Sequence, residues 1–296
     1  MPTASRPRGV IAATATPVDA HFRPDLPRLL RHCRALLEGG CDAINLLGTT
    51  GEATSFSVAQ RVTVMRAIAD EGLPLHRFMV GTGVCSLDET LTLTRTACEM
   101  GFAGALVLPP FFYPDIEPDG LIAYVDALIA RIDHAALAVY LYHIPQNTKV
   151  PWPVEVVAEL RRRHPGVVVG LKDSAGDLAY SREVVREVPD FDVFPSSEAS
   201  LAVSEGFAGC ISATVNLTAM LSQAGWSAQD TPSGKAAIAK AAKQRAALSR
   251  QPLVASVKAA LAARYNDPEW ARMCPPLQAL NAAQSRGLQE ALAAAA

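Results

Sequence analysis

Along residues 9–213, short apolar runs alternate with longer stretches in which apolar positions recur every three or four residues. The short runs fall at 9–16, 43–47, 78–81, 104–108, 137–142, 167–171, 191–194 and 209–213. They read as eight strands, and the Val-rich run before Lys172 has the two-sided burial of parallel sheets. Between them, Leu26, Leu29, Leu30, Cys33, Leu36 and Leu37 mark one helical face, and Leu121, Ile122, Val125, Leu128, Ile129 and Ile132 mark another. Ser57-Val-Ala-Gln60 and Ser86-Leu-Asp-Glu89 have capping-box spacing, so a helix is predicted to start at each. Eight strand–helix pairs in sequence predict an α/β fold, a closed (β/α)8 TIM barrel with its chemistry at the C-terminal strand ends. An open doubly wound sheet competes, but no Gly-x-Gly-x-x-Gly follows the first run. Past about residue 225 the pattern becomes alanine-rich and helical, at 234–263 and 276–292. No Gly/Ser/Pro-rich linker sets this part off. The expectation is a barrel over 1–225 and a C-terminal helical extension over 226–296, packed as one structural unit.

Composition narrows the class. The chain has 296 residues, half of them hydrophobic and 19% charged, enough for a large core and too apolar for wholesale disorder. Its formal charge is −2, and the one dense basic run, Arg161-Arg162-Arg163-His164, closes a helix pattern, where cations belong. A nucleic-acid partner is therefore not expected. Neither is a membrane, since no stretch has the apolar length of a span. The six cysteines (Cys33, Cys41, Cys85, Cys98, Cys210, Cys274) show no Cys-x-x-Cys pairing, and no apolar core follows Arg6 and Arg8 at signal-peptide spacing. Reduced thiols and a cytoplasmic setting are the expectation.

Candidate chemistry gathers at the predicted strand ends. Lys172 closes the run Val167-Val-Val-Gly-Leu171, at the rim of a sheet or the mouth of a barrel. Partial desolvation there makes a neutral amine available as a nucleophile. A solvated lysine opening a loop fits the same residues, because Asp173, Ser174, Gly176 and Asp177 are loop formers. The second run ends in Gly48-Thr49-Thr50-Gly51-Glu52, a tight turn whose N–H groups and hydroxyls can converge on an anion. The fifth ends in Tyr142-His143-Ile144-Pro145, with Tyr140 on the same face; a tyrosine at a barrel mouth can relay protons or serve as a structural amphiphile. The fourth ends in the stiff aromatic loop Pro109-Pro-Phe-Phe-Tyr-Pro114. The six histidines form no His-x-His or His-x-x-x-His unit, so a metal-dependent reading has no ligand set.

Three motifs, Gly48-Thr-Thr-Gly-Glu52, Tyr142-His-Ile-Pro145 and Gly170-Leu-Lys-Asp-Ser-Ala-Gly-Asp177, resemble the signatures of the dihydrodipicolinate synthase/N-acetylneuraminate lyase family, in that family's order. The resemblance runs from about residue 8 through the C-terminal helices. It implies a class I lyase or aldolase on a (β/α)8 barrel, working through a lysine imine with no metal or organic cofactor. It assigns Lys172 the imine, Tyr142 the proton donor and acceptor above it, and Thr49 the relay to Tyr142. Thr50, with backbone amides of the Gly48 turn, would bind the substrate carboxylate, and the carbonyl of Ile211 would line the site. The partner implied is a small 2-keto acid, and the assembly a homotetramer built from tight dimers.

Three positions depart from the family pattern. Where members that use aspartate semialdehyde carry an arginine, this chain has Asn147, which disfavours dihydrodipicolinate synthesis. Phe112 stands where relatives have a second tyrosine that reaches a neighbouring subunit's site, with Tyr113 one place beyond as a possible substitute. His143 replaces an asparagine, either near the site or as a satisfied buried histidine. The Lys-Asp-Ser-x-Gly-Asp form of the lysine motif resembles 2-keto-3-deoxy sugar acid and 4-hydroxy-2-oxo acid aldolases. The expected reaction is cleavage of a 2-keto-4-hydroxy acid to pyruvate and an aldehyde lacking a second carboxylate. A dehydratase using the same imine, and a non-catalytic keto-acid-binding relative, remain alternatives.

Overall fold

A computed structural model of the chain describes residues 6–203 and 206–295. Eight parallel strands, β1 (Gly9–Ala13), β2 (Ala43–Leu46), β3 (Phe78–Gly81), β4 (Gly104–Val107), β5 (Val139–His143), β6 (Val168–Asp173), β7 (Asp192–Pro195) and β8 (Gly209–Ser212), pair in the order β7-β6-β5-β4-β3-β2-β1-β8. The two ends of that order meet where the N–H of Ala208 donates to the carbonyl of Val193 at 2.9 Å, closing the sheet into a barrel. This is the (β/α)8 architecture the pattern predicts. Helices α1 (Leu26–Glu38), α2 (Val58–Asp70), α3 (Leu87–Met100), α4 (Pro118–Ile132), a single turn α5 (Pro145–Thr148), α6 (Val154–Arg163), α7 (Leu178–Glu187) and α8 (Val215–Ser227) connect and surround the strands.

The local chemistry explains the element ends. At α2 the capping box forms in full, with Ser57 and Gln60 exchanging side-chain and backbone bonds. At α3 only half forms: Ser86 accepts from the N–H of Glu89, and nothing returns from the Glu89 side chain. The extension begins later and breaks more often than its alanine content suggests. It comprises α9 (Pro232–Leu248), α10 (Leu253–Tyr265) and α11 (Ala282–Ala294). Pro252 ends the predicted 234–263 helix in its middle, since it lacks an N–H and clashes with the preceding turn. The predicted 276–292 helix starts six residues late, at the Asn281 cap. The expected boundary at residue 225 falls inside α8.

Side chains alternate between a barrel interior and an outer layer. Tyr140, Tyr142, Met79, Leu106, Phe194 and Ile211 fill the interior, while Leu141, Leu171 and Val193 pack outward against helices. Trp270, Val257 and Leu261 of the extension cover Ala15 and Ala213, just past the ends of β1 and β8, so the extension seals one side of the C-terminal mouth. No helix among the described residues is long and apolar enough to cross a membrane.

Candidate active site

A β-bulge decides which way the lysine points. Val139 pairs with Val168, but Tyr140 pairs with Gly170, so β6 carries one extra residue, Val169, against β5. Without it, strict alternation from the outward Val168 would turn Lys172 outward too. With it, Val169 and Gly170 both face the interior, Leu171 faces out, and Lys172 faces in. Gly170 is required at that bulge: a Cβ there would lie 2.6 Å from the Tyr140 ring, and one on Gly104 across the barrel floor would meet the same ring at the same distance. The strand also runs through Lys172 and Asp173, two residues past its predicted end.

The predicted trio comes together at the mouth. Lys172 Nζ donates to the Tyr142 hydroxyl at 3.3 Å, and that hydroxyl lies 3.0 Å from Thr49 Oγ1. Lys172 and Tyr142 are buried, and Thr49 is exposed at the rim. Burial pushes the Tyr142 phenol up, but the nearby Lys172 charge and hydrogen bonds from Thr49, Ser174 and Lys172 outweigh it, holding the phenol below its usual range. Such a group ionises more readily than a free tyrosine, so the phenolate that can take a proton is present at lower pH.

The turn carrying Thr49 is held under backbone strain. Leu47 and Glu52 flank Gly48-Thr49-Thr50-Gly51 with φ of 53° and 54°, left-handed values rare for residues with a side chain. Glu52 is fixed there by two donors, Lys258 of α10 and the backbone N–H of Cys274 at 2.8 Å. Thr50 is buried in the turn, and Gly48 leaves room for the Asn45 amide, whose nitrogen would sit 2.9 Å from a Cβ at Gly48. Both polar atoms of that Asn45 amide are buried and unpartnered.

The remaining candidates separate. Ile211 is fully buried in the interior cluster with Tyr142. A cavity of about 230 Å³ is lined by two of the trio, Thr49 and Tyr142, and among others by Phe111, Asn147, Thr148 and Arg61. Phe112 and Tyr113 do not line it; they are 74% and 71% exposed and contact each other edge to face at 5.3 Å. His143 faces outward from β5, stacked on Tyr180 at 4.0 Å, and its Nδ1 accepts the Trp152 N–H at 3.1 Å. Burial holds it at about 4, so it is a neutral acceptor within the fold. No group of three or more potential metal-ligating side chains lies together among the described residues.

Sequence reasoning passed over Ser174 as a partner of Tyr142, and Arg61, Lys258 and Asn45 altogether. Arg61 and Lys258 sit on helices amid apolar and alanine-rich neighbours, and nothing in their spacing marks them. Asn45 left a trace: it is the one polar residue in the second apolar run.

The sequence profile of the dihydrodipicolinate synthetase family matches residues 6–295. An uncharacterised DapA-like lyase of Chloroflexus aurantiacus is 36% identical over 71% of this chain and 70% of its own length. The crystal structure of dihydrodipicolinate synthase from Agrobacterium tumefaciens superposes with a TM-score of 0.89 at 27% identity, covering 97% of this chain and 98% of that one. The 2-keto-3-deoxygluconate aldolase of Sulfolobus solfataricus shares the fold, with a TM-score of 0.86 at 20% identity over 97% of this chain and 95% of that one.

Proposed function

The chain belongs to the dihydrodipicolinate synthetase family and is an enzyme of the class I lyase/aldolase kind; from that premise we propose that it cleaves, or in reverse condenses, a 2-keto-4-hydroxy or 2-keto-3-deoxy acid to pyruvate and an aldehyde. The observation that carries this reading is the inward Lys172 within 3.3 Å of the Tyr142 hydroxyl, itself 3.0 Å from Thr49. The amine of Lys172 attacks the 2-keto carbon, and loss of water gives the protonated imine. Tyr142 takes the proton of the C4 hydroxyl as the C3–C4 bond breaks, and the bonding pair passes into the imine as an enamine. The aldehyde leaves, C3 takes a proton, and water releases pyruvate from Lys172. Thr49 relays protons between Tyr142 and the rim, and the Thr50 turn holds the carboxylate. The imine itself is the electron sink, so the steps call for no cofactor.

A 2-keto-3-deoxy acid dehydratase is the second reading, because the same imine also acidifies C3 and would expel a C4 hydroxyl as water. Asn147, where an arginine would grip aspartate semialdehyde, keeps dihydrodipicolinate synthesis disfavoured. For assembly we propose a tetramer of tight dimers, with the exposed Phe112–Tyr113 pair buried between subunits. The deciding experiment is borohydride reduction in the presence of pyruvate, followed by intact-mass analysis. One reduced adduct per chain, mapped to Lys172 and absent from Lys172→Ala, is expected. A wild-type chain that takes no adduct at saturating pyruvate sinks the imine and leaves a non-catalytic relative. Pyruvate release from 2-keto-3-deoxy acids then separates aldolase from dehydratase, which releases none.

A further inference from the structure

Arg61 lies on α2, directly after the capping box, and is 2% exposed. A buried guanidinium ordinarily has a carboxylate beside it, because an uncompensated cation out of water is costly. Among the described residues this one has none. Its one hydrogen bond there goes from Nη2 to the carbonyl of Gly81 at 2.7 Å, and Nε is buried without a partner. Exposed Glu89 is the carboxylate whose charge reaches it, and the two form no ion pair; burial holds Arg61 down at about 10. Arg61, with no carboxylate against it, lines the same cavity as Thr49, Tyr142 and Asn147, and that cavity is otherwise largely apolar, with Leu47, Leu106, Leu108 and Phe111 in its walls.

A desolvated arginine in an apolar pocket is built to take an anion, and a planar fork favours a carboxylate. We propose that the cavity seats a carboxylate at the far end of the 2-keto acid, held by Arg61. This rests on the imine reading of Lys172: the keto end is fixed at Lys172, and the tail passes Thr49 and Tyr142 into the cavity. It reverses the expectation drawn from Asn147. The second carboxylate is gripped from α2 rather than from the turn after β5, and the aldehyde released is an oxo acid.

The test compares pyruvate release from 4-hydroxy-2-oxoglutarate, whose tail is a carboxylate, with release from 2-keto-3-deoxygluconate, whose tail is neutral. The ratio of the two kcat/KM values is expected to fall by about 10- to 100-fold in Arg61→Met, the range for losing a charge-assisted hydrogen-bonded pair, with partial recovery in Arg61→Lys. Should Arg61→Met fail to fold, Thr54→Glu places a carboxylate on the exposed rim of the same cavity, and the same fall is expected. A ratio unchanged in these variants overturns the proposal. A second arm does not depend on the imine: glutarate titrated calorimetrically into Lys172→Ala is expected to bind, and to lose binding in Lys172→Ala/Arg61→Met. If wild type takes no pyruvate adduct, the imine reading fails while this arm still reports on Arg61. Glutarate held equally by both variants overturns the site. Glutarate that binds through Arg61 but inhibits cleavage non-competitively marks a separate effector and overturns the tail assignment.

Discussion

Lys258 of α10 donates to Glu52, the last residue of the strained threonine turn, across 206 positions of sequence and with neither side chain exposed. The pair joins the C-terminal extension to the segment that carries Thr49 and Thr50. Removing one partner leaves a buried, uncompensated charge, and that penalty exceeds what the intact pair contributes.

Lys258→Met is therefore expected to destabilise the fold by roughly 3–5 kcal/mol. Lys258→Met with Glu52→Gln together should recover a good part of that loss, because no bare charge remains. Denaturant unfolding of both variants checks this; equal losses in single and double variants would show that the pair holds no desolvated charge.

For Tyr142 the expectation concerns rate. Tyr142→Phe keeps the ring but removes the proton acceptor, and cleavage should fall by roughly 10²–10⁴-fold. In wild type the rate of cleavage is expected to rise with pH as the phenol ionises, and to do so below the usual tyrosine range, because the Lys172 charge and the hydrogen bonds outweigh the effect of burial. Thr49→Val removes one of those bonds, so the limb should move to higher pH. A limb that moves down, or stays in place, removes Thr49 from the relay.

Two buried imidazoles make the fold acid-sensitive. Burial holds His143 and His32 at about 4, below the 6.5 of a free histidine. Between those values the unfolded chain binds protons that the folded chain refuses, so stability is fully present above pH 6.5 and falls as pH drops toward 4, by roughly 2–3 kcal/mol per histidine. His143→Asn keeps an acceptor for the Trp152 N–H and removes one titrating group. Unfolding free energy of this variant between pH 6.5 and 4 should follow one proton rather than two.

The exposed loop gives a prediction about assembly. Large exposed side chains on a monomer are nearly neutral, within about 0.5 kcal/mol, when replaced by serine. Phe112→Ser with Tyr113→Ser is expected to lower the sedimentation coefficient and thermal midpoint together, since both rings are proposed to be buried between subunits. An unchanged coefficient would place the contacts elsewhere.

The basic run Arg161–His164 shows a pattern that was legible as a helix end, although some of its partners lie on another helix. Arg162 and Arg163 bind Glu159, Arg163 and His164 bind Asp126, and Arg161 caps carbonyls after α6, which spends the positive charge within the fold.

By itself the sequence determined the number and order of strands, the shared face of Tyr140 and Tyr142, and the strand ends near which Thr49, Tyr142 and Lys172 sit. Those follow from period-two and period-3.6 burial and from turn chemistry, all of which act over a few residues. Tertiary structure decided the rest. The orientation of Lys172 depends on one extra residue at Val169, which the run of valines conceals because a strand buried on both faces carries no alternation to show its phase. Arg61 reads on the page as an ordinary helix residue, and its lost carboxylate partner is visible only once α2 packs over the cavity. Lys258 finds Glu52 only when the extension folds back on the barrel. Burial of a charge is a property of what surrounds it, and those surroundings come from distant segments that no local pattern records.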